Sequence, residues 1–324
     1  MNSCSTRSLA LGIIVYLALL ALPDSVRAAE KFKPYRAPRS PDGHVDMQGI
    51  WKNSNLTPLE RPPEFAQLTI TAADAVRLKA EYLVSSGPDD PGRALENRSF
   101  EPIRGEFRSS QIIDPDDGRI PWNEASKEKP AALRRAGLTA FDNPEQRPPL
   151  ERCLGSNGAP PMQPNVDGNI YQFVQTPGTT VIMSEFSHDA RIVRMNSTHS
   201  PAALTSWLGD SVGWWEKDTL VVETKYFAPS SAVRMNSRYV ILVSPLTTVI
   251  ERFTRVSERE LNYVFRVSDP TYYTRSWTGE THLLRSTDRM FECACHEGNY
   301  SMRNILEAAR IRDPKEPSTA ATAN

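Results

Sequence analysis

From Ile170 to Leu284 the chain is a succession of short apolar or β-branched runs separated by polar turns, and this limits the fold more than any other feature. Ile170-Tyr171-Gln172-Phe173-Val174 and Thr179-Thr180-Val181-Ile182-Met183 flank Pro177-Gly178, the signature of a hairpin. Further strands are expected at Ile192 to Met195, Thr219 to Tyr226, Thr247 to Val256, Leu261 to Val267 and Tyr272 to Leu284. A run from Gly213 to Lys217 reverses at Lys217-Asp218 into the strand that begins at Thr219. Successive short strands with polar turns build an antiparallel meander, closed or nearly closed into a barrel, with a sandwich as the alternative. The expected fold class is therefore mainly β, an antiparallel lipocalin-like barrel over residues 169–312. It ends in a helix from about Ser301 to Arg310, where Met302, Ile305, Leu306 and Ala309 share one face. The Ala/Thr-rich tail, residues 313–324, is expected to be disordered.

The part before the barrel reads differently. Residues 29–168 are rich in proline and poor in strand signal, so they are expected to form a loop-rich wrap with one or two short helices. Thr71 caps a helix from Ala72 to about Tyr82, with Asp74 set to act on the free amides of its first turn. A second short helix is expected over Ala131 to Ala136. Pro41-Asp42-Gly43-His44 is a turn in which His44 reads as a solvated residue, and Val45 to Trp51 forms a short strand anchored by Trp51.

Residues 1–28 read as a signal peptide rather than as fold. Arg7 precedes an apolar run from Leu9 to Leu22 that is short for a membrane span, and Val26-Arg27-Ala28 suits cleavage. An uncleaved anchor is the alternative. The protein is thus expected to be periplasmic or secreted. Its 38 basic and 39 acidic residues leave a net charge of -1, without the basic excess of a nucleic-acid binder. Export leaves Cys153, Cys293 and Cys295, and an oxidising compartment favours one disulfide. Cys293 with Cys295 would close a very short ring, so Cys153 pairs with one or the other. Glu292-Cys293-Ala294-Cys295-His296 is one residue short of a haem attachment motif, and the compartment favours the disulfide over a Cys₃His zinc site. No metal and no cofactor is expected.

The densest chemistry lies between Ile170 and Phe227. Glu185, His188 and Arg191 are three apart, in a segment whose neighbours make it a strand–turn–strand; at a barrel mouth such a turn gathers all three. A carboxylate beside a histidine is the usual general acid/base pair, and an arginine supports developing negative charge. A surface turn with a Glu185–Arg191 salt bridge is the plainer alternative. Trp207-Leu208-Gly209-Asp210-Ser211 is a turn with an aromatic attached. Ser211 has the spacing of a nucleophile elbow without its strand-to-helix transition, so a hydrolase serine is not expected. In Val249-Ile250-Glu251-Arg252-Phe253 the adjacent charges point opposite ways, so one faces inward; the same alternation raises the question for Arg266. An inward charge needs a partner or a ligand.

Several motifs together resemble a large group of secreted bacterial proteins. They are Pro41-Asp42-Gly43-His44, Gly49-Ile50-Trp51, Arg152-Cys153-Leu154 and the Glu185-x-x-His188-x-x-Arg191 spacing. Gly209-Asp210-Ser211-x-Gly213-x-Trp215-Glu216-x-Asp218-Thr219-Leu220-Val221-Val222-Glu223-Thr224, Glu251-Arg252-Phe253-Thr254-Arg255 and Cys295-His296-Glu297-Gly298-Asn299-Tyr300 complete the set. The resemblance covers nearly all of the mature chain, implies export and a single domain, and carries no mechanism. Cys293 departs from the group's pattern, which makes Cys295 the partner implied for Cys153 and leaves Cys293 unpaired.

The expected activity is that of an exported enzyme using acid/base chemistry on an apolar or aromatic small molecule: an isomerase, cyclase, lyase or hydrolase. His188, Glu185, Arg191, Asp210 and His296 are the expected catalytic groups. Trp207, Trp214, Trp215, Glu251 and Arg252 are the expected substrate contacts. A carrier that binds such a ligand unchanged is the alternative. The turn at His188 and the strand end at His296 are expected to meet, with Glu251 or Arg252 below them.

Overall fold

The structure is a computed structural model, which describes residues 35–85, 100–133, 141–147, 152–153, 158–164, 169–229, 233–235, 240–292 and 294–312. The expected signal peptide, the disordered tail and Cys293 lie outside the described residues.

Nine strands form a closed ring: β1 (Gly49–Lys52), β3 (Ile170–Gln175), β4 (Thr179–Ser184), β5 (Ala190–Met195), β6 (Asp210–Glu216), β7 (Thr219–Lys225), β10 (Thr248–Arg255), β11 (Glu260–Ser268) and β12 (Trp277–Arg285). They neighbour one another in that order, and β12 returns to β1 through Trp51↔Arg285 and Lys52↔Leu284. The short β2 (Ile112–Asp114) pairs with the start of β12, while β8 (Val233–Met235) and β9 (Val240–Leu242) form a separate hairpin.

The barrel is mixed, not purely antiparallel. β5 and β6 run parallel, with Val193 opposite Ser211 and Met195 opposite Gly213. The reason is arithmetic: a ring with an odd number of strands cannot alternate direction at every junction. A parallel pair needs a crossover connection, and residues 196–209 supply it as a loop rather than a helix. The odd strand is β1. It comes from the segment expected to be wrap, and it fills the gap between β12 and β3.

Alternation puts one face of each strand inside. Tyr171 and Phe173 of β3, Ile182 of β4, Val193 of β5, Leu220 and Val222 of β7, and Phe253 of β10 are buried there with Tyr263, Phe265 and Trp277. The rings interlock: Phe253 stacks on Tyr263 at 4.9 Å, and Phe265 meets Trp277 edge-on at 5.8 Å. Gly279 of β12 makes this possible, because a Cβ there would lie 2.3 Å from the Phe265 ring. Residues 272–276, expected as the start of the last strand, belong to a turn over 269–276 instead, where Asp269 accepts from the backbone N–H groups of Ser244 and Thr271.

Outside the ring, α1 (Ala72–Ser85) begins in a capping box. The Asp74 amide donates to Thr71 Oγ1 at 3.1 Å, and the Thr71 amide donates to Asp74 Oδ2 at 3.1 Å. Ala75 and Leu78 pack with Leu56 and Phe100 in a second small cluster. Residues 129–133 are helical, and the rest of the expected second helix lies outside the described residues. The last helix, α2 (Ser301–Arg312), buries Leu306 and half-buries Met302, Ile305 and Ala309, the stripe read from the sequence.

Candidate functional site

Chain direction assigns each group to an end of the barrel. β5 starts directly after the turn at residues 185–189, and β6 runs parallel to it. The β4–β5 turn, Asp210 and the start of β3 therefore share one end. The β6–β7 turn at Lys217-Asp218 and Trp215 lie at the other.

At the first end the β4–β5 turn is bent tightly. Ser187 (φ 58°) and His188 (φ 50°) are consecutive non-glycine residues in the left-handed region, a conformation costing about 1–2 kcal/mol each. The segment after β12 runs past this turn: the Phe291 amide donates to Glu185 Oε1 at 3.0 Å, and His188 Nδ1 lies 3.4 Å from Glu292 Oε1. A disulfide joins Cys153 to Cys295, the pairing the resemblance implied, and the Asn299 side chain donates to Cys153 Sγ at 3.4 Å. Both cysteines are used by that bond, which removes the zinc alternative. The turn at His188 and the segment leading to His296 thus meet. His296 itself is exposed, and its carbonyl accepts from Asn299.

Arg191 does not join Glu185 and His188. It is the first inward position of β5, and its guanidinium forms a two-pronged ion pair with Glu251 of β10, one contact at 3.1 Å. Both side chains are essentially sealed from solvent, at 1% and 0% exposure. Tyr263 donates its hydroxyl to Glu251 Oε1 at 2.8 Å and accepts from the Met162 amide at 2.9 Å. Burial, reinforced by the Glu251 charge, pushes the Tyr263 phenol well above its ordinary value, so it remains a donor. Of the adjacent charges in β10, Glu251 is therefore the inward one. Arg252 faces out to Glu216, and Arg266 faces out to Ser276.

Met162 belongs to a segment, residues 158–164, that enters this end of the barrel. Gly158 sits against Ser184 and Asp189, where a Cβ would lie 3.2 Å from the Ser184 Cβ. Asn53 reaches the Met162 carbonyl at 3.5 Å. Among the described residues, buried side-chain atoms without a protein hydrogen-bond partner include both amide atoms of Gln163, Ser184 Oγ, Asn53 Oδ1, Thr281 Oγ1 and Arg191 Nε. Each unsatisfied buried group costs about 1–3 kcal/mol.

Asp210 takes part in a different cluster, on the outer face. It accepts from Arg194 at 2.8 and 3.1 Å, from His199 Nδ1 at 2.7 Å, and from the amide and hydroxyl of Ser200 at 3.1 and 2.9 Å. His199 Nε2 lies 3.0 Å from Glu223, which also accepts from Lys225 at 2.7 Å. Burial pushes Asp210 up, but the combined hydrogen bonds from Arg194, His199 and Ser200 outweigh it and hold the carboxyl far below the usual range. With every group paired, the cluster clamps the 196–209 crossover onto the sheet. Ser211 points inward to Thr224 Oγ1 at 2.8 Å, which agrees with the rejection of a nucleophilic serine.

Trp214 and Trp215 do not wall the turn at His188. Trp214 and Trp215 are adjacent in β6 and so face opposite ways. Trp214 points out and donates to Glu216 at 3.0 Å. Trp215 lies at the far end, stacked on His44 at 4.9 Å, which makes His44 a packing residue rather than a solvated one. Trp207 is half-buried in the crossover loop. An outer groove of about 410 Å³, lined by Lys52, Arg259 and Arg285 with Glu101 and Asp288, contains none of the residues singled out from sequence. Sequence reasoning missed Gln163, Ser184, Tyr263 and Thr281. Tyr263 lay within the expected strand Leu261 to Val267 without a role, strict alternation along β4 and β12 would have turned Ser184 and Thr281 inward, and Gln163 stands in a loop that gave no such signal. No protein-family model matches the chain, and neither a curated protein nor a solved structure matches it.

Proposed function

We propose that the protein is an exported enzyme that acts on a small organic molecule at the barrel end bearing the β4–β5 turn, by acid/base chemistry. The observation that carries this reading is the strained Ser187-His188 pair. His188 of that pair faces Glu292, while the neighbouring Glu185 holds the Phe291 amide of the same incoming segment. Backbone strain of this kind persists where the surroundings over-determine it, and histidine is the side chain best suited to exchange protons near neutral pH. His188 is the proton acceptor or donor, and Glu292 is its orienting carboxylate. The Arg191–Glu251–Tyr263 network holds the inner end of the ligand. The disulfide supports a life in an oxidising compartment, as does the resemblance to secreted bacterial proteins.

A carrier that releases its ligand unchanged is the second reading. It is favoured by the full pairing of Glu251, whose oxygens already accept from Arg191 and Tyr263. His188→Ala separates the two. The enzyme loses about 10²-fold or more in turnover while keeping its affinity, whereas a carrier changes in affinity alone. Incubation of the purified protein with extracts of small molecules, followed by mass spectrometry for both retained and altered compounds, supplies the measurement.

A further inference from the structure

We infer that the outer groove where β1 closes onto β12 is a binding site for a small organic anion, a carboxylate carried on a short apolar body. The inference is independent of the catalytic reading above, because the groove is lined neither by His188 nor by the residues that hold it.

The cavity is framed by four separate segments of chain, and printed contacts fasten three of them to their neighbours. At the exit of β12 the Ser286 amide donates to the Ile50 carbonyl of β1 at 2.9 Å. The Arg285 amide donates to the Arg259 carbonyl, in the β10–β11 turn, at 2.8 Å. From the wrap, Glu101 is held at both of its backbone groups by the buried Asn55 side chain, at 3.0 and 3.3 Å. The fourth segment is the end of β1 itself, at Lys52 and Ser54. Together they enclose about 410 Å³, a volume that accepts a small molecule.

The charge of the lining selects an anion. Lys52, Arg259 and Arg285 stand against two carboxylates, Glu101 and Asp288. Among the described residues neither guanidinium has a carboxylate within ion-pair distance. Arg285 is steadied by the Gln48 carbonyl at 2.8 Å and by the Trp51 ring. Lys52 Nζ lies 3.7 Å from Asp288 Oδ2, with both side chains open to solvent, a weak pairing that an incoming oxyanion can share. The hydroxyls of Ser54 and Thr287 add further donors. A cation would meet three like charges here, whereas an oxyanion meets donors whose charge is not yet matched.

The floor of the groove is apolar. Trp51 and Leu283 are buried in the core, so alternation turns Lys52 and Leu284 outward, and the register sets them directly opposite each other. The methylene stem of Lys52 and the Leu284 side chain thus form one apolar strip beneath the charged rim. An inorganic oxyanion leaves that strip wet; a carboxylate with a short hydrocarbon body covers it.

The test titrates the full, disulfide-bonded protein by NMR with three probes. They are butyrate, butyramide as its neutral isostere, and inorganic phosphate as an oxyanion without an apolar body. Butyrate should shift the amides of Arg259, Leu284 and Thr287, with butyramide and phosphate each at least about fivefold weaker. Arg259→Gln and Lys52→Gln, both at solvent-open side chains, should each weaken butyrate about fivefold. Arg303→Gln, on α2 and outside the groove, should leave it unchanged. The inference is overturned by butyramide or phosphate binding as tightly as butyrate, or by the absence of any shift at the groove amides. It is equally overturned if neither groove variant weakens butyrate, or if Arg303→Gln weakens it as much as they do. Binding is read without turnover and away from the β4–β5 turn, so a failure here is distinct from a failure of His188→Ala to abolish catalysis.

Discussion

At the residue scale the two ionic clusters make opposite demands. Arg191 and Glu251 are sealed inside the barrel, so removing one charge strands the other. Glu251→Gln should cost about 3–5 kcal/mol in urea unfolding, whereas the joint replacement Arg191→Met with Glu251→Leu should cost much less, because no charge is left unpaired. Asp210 sits nearer solvent and is visible through pH. Its folded pKa is depressed below the ordinary 3.8, so its stabilisation is fully present above that value and is lost as pH falls through the folded pKa. Stability of the native protein should therefore decline on acidification below about pH 4, and Asp210→Asn should flatten that decline. At neutral pH the variant should already be weaker, by about 1.5–3 kcal/mol for each charge-assisted hydrogen bond lost. A chemical-denaturation series across pH measures both effects.

At the scale of elements, the junctions matter more than the strands. The segment after β12 carries no helix or strand at residues 286–292 and 294–300, yet it reaches the β4–β5 turn and is tied down there by the Cys153–Cys295 bond. That bond spans 142 residues of sequence, and cross-links over such loops stabilise by about 3–5 kcal/mol through the entropy of the unfolded chain. Cys153→Ser with Cys295→Ser should lower stability by that order. It should also raise hydrogen exchange at Phe291, whose amide is held by Glu185. The alternation of β10 was legible in sequence as far as one inward charge between Glu251 and Arg252. Which of the two it is depended on the register Glu251↔Val222 and Glu251↔Phe265, set by neighbours far along the chain. The same limit applied to Trp214 and Trp215, whose adjacency in sequence places them on opposite faces of β6.

At the scale of the whole molecule, closure depends on four residues. β1 is the strand that joins β12 to β3, and its Trp51 is fully buried, with the indole N–H on the Met47 carbonyl at 2.9 Å. A chain that begins after Lys52 keeps eight of the nine ring strands but exposes two bare strand edges, on β3 and on the end of β12. It should collapse into aggregates rather than fold as a smaller barrel. Size-exclusion chromatography of that truncated chain, against the protein that retains β1, gives the answer; a stable monomer with native-like circular dichroism would overturn the role assigned to β1. The N-terminal half is thus a structural partner of the barrel: its segments supply β1, β2 and the loop that enters beside Tyr263.

What the sequence by itself determined is whatever depends on neighbours along the chain. Strand periodicity from Ile170 onward, the Pro177-Gly178 hairpin, the Thr71–Asp74 capping box and the apolar stripe of α2 all rest on contacts a few residues apart, and each was legible. The tertiary structure decided what depends on closing the ring. It set nine strands rather than an even number, and with them the parallel junction at β5–β6. It turned Arg191 inward to Glu251 and away from His188, and it bound Asp210 to His199 on the outer face. These outcomes follow from which strands become neighbours around the closed ring, a choice made by burying the largest joint apolar surface while leaving the fewest charges unpaired.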